Sequence, residues 1–193
     1  MNTIGIILAA GSSTRMTASK QLLSYKGKSL IRHIAEIATE LPLSTTYCIT
    51  GAIKEDIKVS LDDLDISYVH NSDYKQGMGL SLSVAITHIM KRHQPDAVLV
   101  MLTDQPLIPI SHYQKLLHIA SQRDNDIITT AYNNTYGAPT LFKKSLFSEL
   151  QALNATTGAK SIISKHISTT LSVECPEAAY DIDTDEDYEN LVG

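Results

Sequence analysis

The chain has 193 residues, of which 43% are hydrophobic and 19% are charged, and its formal net charge is −5. This composition is typical of a globular protein with a sizeable core. Because no run of lysine and arginine occurs, we expect neither nucleic acid nor a membrane as a partner. No apolar stretch is long enough to cross a bilayer and the first residues lack the basic start of a signal peptide, so we expect a cytoplasmic protein.

Short apolar runs alternate with segments of helical periodicity along the whole chain. We predict strands at residues 3–9, 45–50, 66–70, 96–102, 126–132, 138–142 and 169–174. We predict helices at residues 29–40, 53–62, 79–93, 110–122, 144–153 and 158–165, and from 185 onward. This alternation predicts an α/β sheet with right-handed crossovers. Since no repeat, low-complexity segment or flexible linker marks a boundary, residues 1–193 are expected to form one domain.

The most apolar run, "DAVLVML" at 96–102, predicts a central parallel strand that is buried on both faces. In sheets of this class, ligands bind beyond the carboxyl ends of the strands. That rule directs attention to residues 10–20, 70–81 and 103–106. Cys48 and Cys175 match neither a disulfide framework nor a CxxC site, and the seven histidines show no metal-ligand spacing.

The segment "LAAGSSTRMTASKQLL", residues 8–23, follows the first strand with a glycine, small residues and two cations. Backbone N–H groups in such a loop suit phosphate oxygens, and Gly11 permits close approach of a ligand. Arg15 offers a planar fork to phosphate and Lys20 a mobile point charge. The residues fit a surface loop with solvated cations equally well.

Asp104 lies in "LTDQPL", directly after the most apolar strand. A carboxylate there is costly unless it caps a turn, pairs with a cation or binds metal. One interpretation is a Mg²⁺ site completed by phosphate oxygens and water, and the other is the N-cap of a short turn before Pro106.

Two further segments carry glycines or acids. In "NSDYKQGMGLSLSVAI" (71–86), the glycines Gly77 and Gly79 precede small residues of a helix, which fits either a turn or a surface for a base or ribose. In "YDIDTDEDYENL" (180–191), Asp181 and Asp183 are candidate metal ligands. The acids that follow also mark a helix N-terminus, and we favour capping.

Five segments together resemble the molybdenum-cofactor nucleotidyltransferases, and most closely their cytidylyltransferase branch. The segments are "LAAGSSTRM…SKQLLSYKGKSLI", "GMGLSLSVAI", "VMLTDQPLI", "YGAPTLF" and "YDIDTDEDY", in the order and at about the spacing of that family. The resemblance covers residues 3–192, and its first and third segments are the most specific.

The resemblance implies a single Rossmann-like three-layer α/β domain of the nucleoside-diphosphate-sugar transferase type, with a mostly parallel mixed sheet. It implies that Lys20 contacts phosphate and that Asp104 binds Mg²⁺. It also implies that the opening loop and the glycine-serine segment bind the nucleotide. The nucleotide-binding residues expected on this basis are Leu8, Ala9, Ala10, Gly11, Ser12, Ser13, Asn71, Gly77, Gly79 and Ser81. The expected catalytic residues are Arg15, Lys20 and Asp104. Ala10, where the guanylyl branch usually has glycine, favours CTP over GTP.

Three departures from the family pattern bear on activity. Thr17 and Ser19 stand where the family commonly has glycine and proline. If Gly158 and Ala159 align with the family's "GDxGAR" segment, Thr156 replaces an aspartate and Lys160 an arginine. The chain would then lack a carboxylate that its relatives have. Either Asp181 or Asp183 replaces it, or activity is weak or lost.

The function expected from the resemblance is Mg²⁺-dependent transfer of CMP from CTP to the phosphate of the molybdopterin cofactor, with release of pyrophosphate. A molybdenum hydroxylase apoenzyme is the expected downstream partner. Two alternatives remain: a nucleotidyltransferase of the same fold with another phosphate acceptor or GTP, and a non-catalytic accessory that carries the cofactor. The Thr156 departure favours the latter.

Overall fold

A computed structural model describes residues 1–11 and 16–193 of the chain. The strands in the described residues are β1 (Thr3–Ala9), β2 (Ser24–Tyr25), β3 (Lys28–Ser29), β4 (Thr45–Thr50), β5 (Ser67–His70), β6 (Ala97–Leu102), β7 (Ile127–Tyr132), β8 (Thr135–Lys143) and β9 (Thr170–Glu174). The α-helices are α1 (Leu30–Glu40), α2 (Lys54–Ser60), α3 (Met78–Met90), α4 (Ile110–Gln122), α5 (Phe147–Gln151), α6 (Ala159–Lys165) and α7 (Asp185–Val192).

Seven of these strands form one sheet in the order β5-β4-β1-β6-β8-β7-β9. β5, β4, β1 and β6 pair in parallel, as do β7 and β9. β8 pairs antiparallel with both of its neighbours, so it is the one strand of this sheet that runs in the opposite direction. The mostly parallel mixed sheet expected from the sequence is confirmed.

The partner of β6 differs from the sequence-based expectation of a central parallel strand. β6 is buried as predicted, but only its β1 side is parallel, whereas its other side pairs antiparallel with β8. The reason lies in the turn between β7 and β8. Asn133 and Asn134 both have positive φ, at 45° and 57°, which is the conformation of a tight hairpin turn. The hairpin reverses the chain, so β8 enters the sheet against the common direction.

Helices cover both faces of the sheet and create two cores, which gives the expected three layers. On one face, α1, α2 and α4 bury residues such as Ile31, Ile57 and Leu116 against Ile7 and Leu99. The other face carries α3, α5 and α6. Their buried residues include Leu82, Ile86, Leu150 and Ile163, packed against Ile6, Val98 and Phe142.

A small third cluster ties the end of the chain to the start of α1. Tyr25, Leu30 and Ile182 are buried together, with Tyr188 of α7 packed against them. The Tyr188 hydroxyl donates to the Ser24 carbonyl oxygen at 2.8 Å. These contacts bring the acidic segment at 180–187 to the carboxyl edge of the sheet, beside the residues that follow β1 and β6. No helix within the described ranges is long and apolar enough to span a membrane.

Candidate functional site

Two adjoining cavities open at the carboxyl edge of the parallel strands. The first, of about 330 Å³, is lined by Gly11, Lys20, Tyr74, Gly77, Ser81 and Asp104 among others. The second, of about 420 Å³, is lined by Gln105, Tyr132, Phe142, Lys160, Ile163 and Asp181 among others. Asp104 and Asp183 line both cavities and therefore mark their junction. Volumes of this size are typical of small-molecule sites.

Lys20 links two carboxylates at this junction. Its Nζ lies 2.8 Å from Asp104 Oδ2 and 3.1 Å from Asp183 Oδ1, and its side chain is 14% exposed. Burial by itself lowers the pKa of the Lys20 ammonium, but attraction to Asp104 and Asp183 outweighs that effect and the pKa is raised above 10.5. Lys20 therefore stays charged at neutral pH and neutralises part of the acidic cluster.

Asp104 is positioned by the end of β6 and by the segment that precedes α7. Its backbone oxygen accepts a hydrogen bond from the Ile182 amide at 2.9 Å. No backbone N–H of the described residues donates to its carboxylate, so Asp104 does not cap the short turn in which the Ile108 amide donates to the Gln105 oxygen. While Oδ2 bonds to Lys20, Oδ1 is buried and has no hydrogen-bond partner among the described residues. Such an atom favours a cation or a donor supplied by a ligand.

Asp183 is held by the N-terminus of α7. Thr184 and Asp187 form a reciprocal capping box, as the acids in the sequence led us to expect. Asp187 Oδ2 also accepts from the Asp183 amide at 3.0 Å, which orients the residue whose carboxylate meets Lys20. The capping interpretation is thus confirmed for residues 184–187, and Asp183 in addition reaches the cavity junction.

Asp181 lies on the rim of the second cavity. The residue is exposed overall, yet partial burial of its carboxyl, together with the neighbouring Asp104 carboxylate, raises its pKa. The proximity of these two acids adds to the negative potential at the junction.

The opening segment is held by a buried side chain that the sequence reasoning did not single out. Gln21 Nε2 donates to the backbone oxygens of Ala9 at 3.2 Å and Gly11 at 2.7 Å. Leu8, Ala10 and Gly11 line the first cavity. The Ala9 side chain instead packs in the core on the other face of the sheet. The expected binding residues Ser12, Ser13 and Arg15 lie outside the described residues.

The glycine-serine segment divides between the two cavities. Gly77 and Ser81 line the first cavity, whereas Gly79 lines the second. A Cβ added to Gly79 would lie 1.8 Å from the Thr157 carbonyl oxygen, so this glycine is required by the approach of the loop at 154–157. Asn71 is buried outside both cavities, and its Nδ2 donates to Ser81 Oγ at 3.0 Å. Asn71 therefore orients Ser81 and does not face either cavity.

The family model described as the MobA-like NTP transferase domain matches residues 5–170 of the chain. The chain belongs to this family. Among solved structures, it is similar to Rv0371c from Mycobacterium tuberculosis H37Rv, with a TM-score of 0.81 and 23% identity, covering 100% of this chain and 98% of that one. A homologue of Rv0371c from Mycobacterium sp. strain JC1 gives a TM-score of 0.80 and 28% identity, over 98% of this chain and 94% of that one.

A curated relative of the MobA-like domain described here is the bifunctional protein GlmU of Legionella pneumophila. The two are 38% identical over 129 residues, which is 65% of this chain and 26% of GlmU. The chain thus spans about a quarter of the length of this relative. Molybdopterin-guanine dinucleotide biosynthesis protein A from Archaeoglobus fulgidus shares the fold, with a TM-score of 0.73 and 14% identity over 97% of this chain and 96% of that one.

The Thr156 departure has a structural explanation in this MobA-like domain. Thr156 is exposed and lines neither cavity, and its amide and hydroxyl both donate to Asn154 Oδ1 at 2.9 Å. The Thr156 side chain is therefore not part of the cluster at the cavity junction. Lys160, by contrast, lines the second cavity, as does Gly158.

The described residues at the junction provide only part of the ligand set that a divalent cation needs. Within residues 1–11 and 16–193, no group of three or more His, Cys, Asp or Glu side chains is arranged to hold a metal ion. Asp104 and Asp183 provide two carboxylates, and one buried oxygen of Asp104 lacks a partner in the described part of the chain. Mg²⁺ is typically held by one or two carboxylates with phosphate oxygens and water completing its shell. The donor set therefore suits such an ion.

Four cavity-lining residues that the sequence analysis did not name share a position relative to the sheet. Tyr74 and Lys75 of the first cavity and Gln105 and Tyr132 of the second all lie within five residues of the carboxyl end of a sheet strand. The rule for ligand position in α/β sheets already covered residues 70–81 and 103–106, and applied to the end of β7 it would also have included Tyr132. Asp183 was harder to identify as a site residue from the sequence, because the acidic residues that follow it are already explained as a helix N-terminus.

Proposed function

We propose that this MobA-like domain, residues 1–193, transfers CMP from CTP to the terminal phosphate of the molybdopterin cofactor with release of pyrophosphate. The observation that carries the proposal is the cluster of Lys20, Asp104 and Asp183 at the junction of two cavities. A reaction between two bound polyanions needs charge compensation at the point where they meet.

In this proposal the first cavity holds the nucleotide. Small residues at the end of β1 allow close approach, and Lys20 and Lys75 line the cavity as cations for phosphate. By its resemblance to the family's loop arginine, Arg15 is also proposed to bind phosphate. Ala10 in the "LAAG" segment supports CTP, since the guanylyl branch usually has glycine there.

The chemistry is an in-line displacement at the α-phosphorus of CTP. A phosphate oxygen of the acceptor forms the new bond to this phosphorus, and the bond to the β-phosphate oxygen breaks, so pyrophosphate leaves with the electron pair. No protein nucleophile is required, because the attacking phosphate is already anionic at neutral pH. Lys20 is placed to stabilise the charge on the triphosphate and on the leaving group.

A divalent ion, Mg²⁺ in our proposal, would be held by Asp104 and Asp183 and would supply Lewis-acid polarisation of the α-phosphate. Rv0371c of M. tuberculosis has been crystallised in complex with manganese, which supports an ion of this class. Lys20 forms ion pairs with both carboxylates. We therefore expect its ammonium to move from the carboxylates to the phosphates when ion and nucleotide bind together.

Other nucleotidyl transfers on this fold define the alternative. CMP:2-keto-3-deoxy-manno-octonic acid synthetase, solved in complex with CTP, shares the fold with a TM-score of 0.75 and 13% identity over 99% of this chain and 97% of that one. The rival proposal is nucleotidyl transfer on this same fold to a sugar phosphate or an alcohol phosphate. The non-catalytic carrier keeps its argument from Thr156, whereas the two carboxylates at the junction, Asp104 and Asp183, support catalysis.

The test is calorimetric titration of CTP, GTP, ATP and UTP, each with Mg²⁺, into the unaltered protein and Asp104→Ala. We expect selective CTP binding that weakens in the variant. Asp124→Ala, which removes an exposed carboxylate that lines neither cavity, is the matched control and should bind as the unaltered protein does. Binding of none of the four nucleotides would overturn the proposal.

A further inference from the structure

A third cavity, of about 480 Å³, lies between the edge strand β5 and helix α3, and none of its lining residues belongs to the first or second cavity. We call it the basic groove, because four of its lining side chains are cationic or become cationic on protonation: His70, His88, Lys91 and Arg92. The other residues that line it are Val69, Ser83, Val84 and Thr87, so no carboxylate of the described chain takes part. Such a surface is a local exception in a chain whose formal net charge is −5.

The cations of the basic groove have no acidic partner. Within residues 1–11 and 16–193, no carboxylate forms an ion pair with Lys91 or Arg92. Arg92 Nη1 lies 3.3 Å from His88 Nδ1, and because a guanidinium only donates, this nitrogen accepts and the neutral ring carries its hydrogen on Nε2. The positive charge of the groove is therefore not compensated by an ion pair within the described part of the chain.

Half-buried His88 is surrounded by positive charge. Burial, and after it the charges of Arg92, His93 and Lys91, lower the pKa of the ring below 6.5, and no acid offsets them. From β4, the Tyr47 ring makes an edge contact with the His88 ring at 5.3 Å between centroids, and the Tyr47 hydroxyl bonds to His93 Nε2 at 2.8 Å. A bound anion would relieve the repulsion among these groups.

The end of α3 accounts for only part of the basic groove. The dipole of a helix favours cations at its C-terminus, which applies to His88, Lys91 and Arg92. His70 belongs to β5, yet it lines the same groove. Helix α4, which like α3 has 13 residues, has no basic residue in its last turn. The stability of a helix of this length therefore does not require such a cluster.

Thr87 adds a hydroxyl donor to the basic groove. Its Oγ1 accepts from Gln151 Nε2 at 3.4 Å, and no described residue accepts the hydrogen of the hydroxyl itself. The groove thus combines cations with a hydroxyl donor and has no negative charge among its described residues. This combination is typical of phosphate recognition, in which charged donors make the strong hydrogen bonds.

We propose that the basic groove binds a compact anion with two phosphate groups, of which inorganic pyrophosphate is the simplest, at a site separate from the two cavities of the proposed reaction. Arg92 offers phosphate a planar fork and Lys91 a point charge, and neutral His88 still offers its Nε2 hydrogen. An anion with two charged groups suits a groove whose cations come from two elements better than a single phosphate does. The site does not depend on the proposed nucleotidyl transfer.

The test is an NMR titration of sodium pyrophosphate, followed at the ring C–H signals of the histidines. Divalent ions are omitted, so that no metal–pyrophosphate complex forms at the junction of the first two cavities. His88→Gln identifies the His88 signal, and exposed His118 of α4, which lines none of the three cavities, is the internal control. The titration is repeated on Arg92→Gln and Arg123→Gln. Arg123 is the matched control, since it is also an exposed arginine at the C-terminal end of a helix of 13 residues and lines none of these cavities.

We expect pyrophosphate to shift the His88 signal of the unaltered protein until it saturates and to leave the His118 signal in place. Arg92→Gln should raise the Kd measured at His88 about tenfold, as for the loss of a hydrogen bond to a charged group, whereas Arg123→Gln should change it by less than about twofold. An unmoved His88 signal, or an unchanged Kd in Arg92→Gln, would overturn the proposal. Lys91→Gln serves for the same comparison if Arg92→Gln fails to fold.

The pKa of His88 gives a second readout from the same signal. Saturating pyrophosphate should raise this pKa, because a bound anion offsets the positive charges that lower it. Binding at the first cavity alone would leave the His88 pKa as it is and would leave the Kd insensitive to Arg92→Gln. Either result would show that the basic groove is not the site.

Discussion

Lys20 and Asp104 are 84 positions apart in the chain, yet their charged atoms lie 2.8 Å apart. Neither residue has an oppositely charged neighbour in the sequence with which it could pair. The tertiary contact with Asp183 completes a cluster in which one ammonium faces two carboxylates. Partly buried charges of this kind are stable only when paired, and removal of one partner costs more than the pair contributes.

Asp104→Ala tests the role of the carboxylate in the reaction. If Asp104 helps to stabilise charge in the transition state, its loss should lower kcat by about 10²–10³, as for removal of one preorganised stabilising group. Steady-state pyrophosphate release with CTP and the pterin acceptor measures the effect. Near-normal turnover in the variant would show that Asp104 has no such role.

Lys20→Met tests whether the ammonium and a divalent ion compete for the same carboxylates. In the variant the two carboxylates no longer share a cation, so Mg²⁺ should bind more tightly without nucleotide. We therefore expect MgCl₂ to raise the Tm of Lys20→Met by more than it raises the Tm of the unaltered protein. The same Tm shift in both proteins would contradict a shared site.

At the scale of the element, the loop at 154–157 and helix α3 pack unusually closely. The ideal Cβ of Gly79 would meet the backbone oxygens of Thr157 at 1.8 Å and Asn154 at 2.7 Å. Asn154 Oδ1 in turn accepts from the Thr156 amide and the Thr157 hydroxyl, which stabilises the conformation of the loop. Because the obstructing atoms belong to the backbone, a side chain at Gly79 has no flexible neighbour to displace.

Gly79→Ala should therefore destabilise the fold by about 2–3 kcal/mol through overpacking against backbone. Gly158→Ala is the matched control, since nothing lies within 4 Å of its ideal Cβ. Urea unfolding of both variants measures the difference. If Gly79→Ala were as stable as Gly158→Ala, the approach of the loop to α3 would be looser than described.

Helix α7 links a capping interaction to the acidic cluster. Thr184 Oγ1 accepts from the Asp187 amide at 3.1 Å, and the Asp187 carboxylate accepts from the amides of Thr184 and Asp183. The cap and the position of Asp183 thus depend on the same side chains.

Thr184→Ala should cost about 1 kcal/mol of stability, as is typical when an N-cap oxygen is lost, and should also weaken Mg²⁺-dependent nucleotide binding by displacing Asp183. Thr184→Ser, which keeps the oxygen, should retain both properties. Thermal unfolding and calorimetry measure the two effects. A stable Thr184→Ala with weakened binding, or the reverse, would separate the cap from the cluster.

At the scale of the whole molecule, buried histidine makes stability depend on pH. His112 packs in the core, and burial, with Lys115 nearby, lowers its pKa below 6.5. The Thr130 hydroxyl donates to the Pro139 oxygen at 2.7 Å, so the His112 ring nitrogen 2.9 Å away must donate to Thr130. A neutral ring protonated on Nε2 satisfies this arrangement.

Because the unfolded chain binds a proton at His112 more readily than the folded one, stability should fall as pH drops from 6.5 through the lowered folded pKa. Above pH 6.5 both states are neutral at this residue and the effect disappears. His112→Gln, which keeps a donor, should lose less stability than the unaltered protein between pH 7.5 and 5.5. Urea unfolding at both pH values measures this, and equal losses in the two proteins would contradict it.

The sequence by itself determined the elements and their alternation. Helix α4 was predicted at 110–122 and spans Ile110–Gln122, and strands β1 and β4 match their predicted residues as closely. These elements depend on the spacing of apolar residues within short segments, and that spacing can be read directly from the sequence. The choice of the carboxyl edge as the place of the site also followed from that alternation, through a rule about parallel strands.

Only the tertiary structure decided which side chains meet. The direction of β8 depends on a hairpin at Asn133 and Asn134, and the junction of Lys20, Asp104 and Asp183 depends on three segments separated by up to 163 positions. The orientation of the Gln105 amide depends in the same way on the Ala178 carbonyl, 73 residues away. Hydrogen bonds and ion pairs form between atoms within a few ångströms, and spacing along the chain does not encode such distances until the sheet brings its strand ends together.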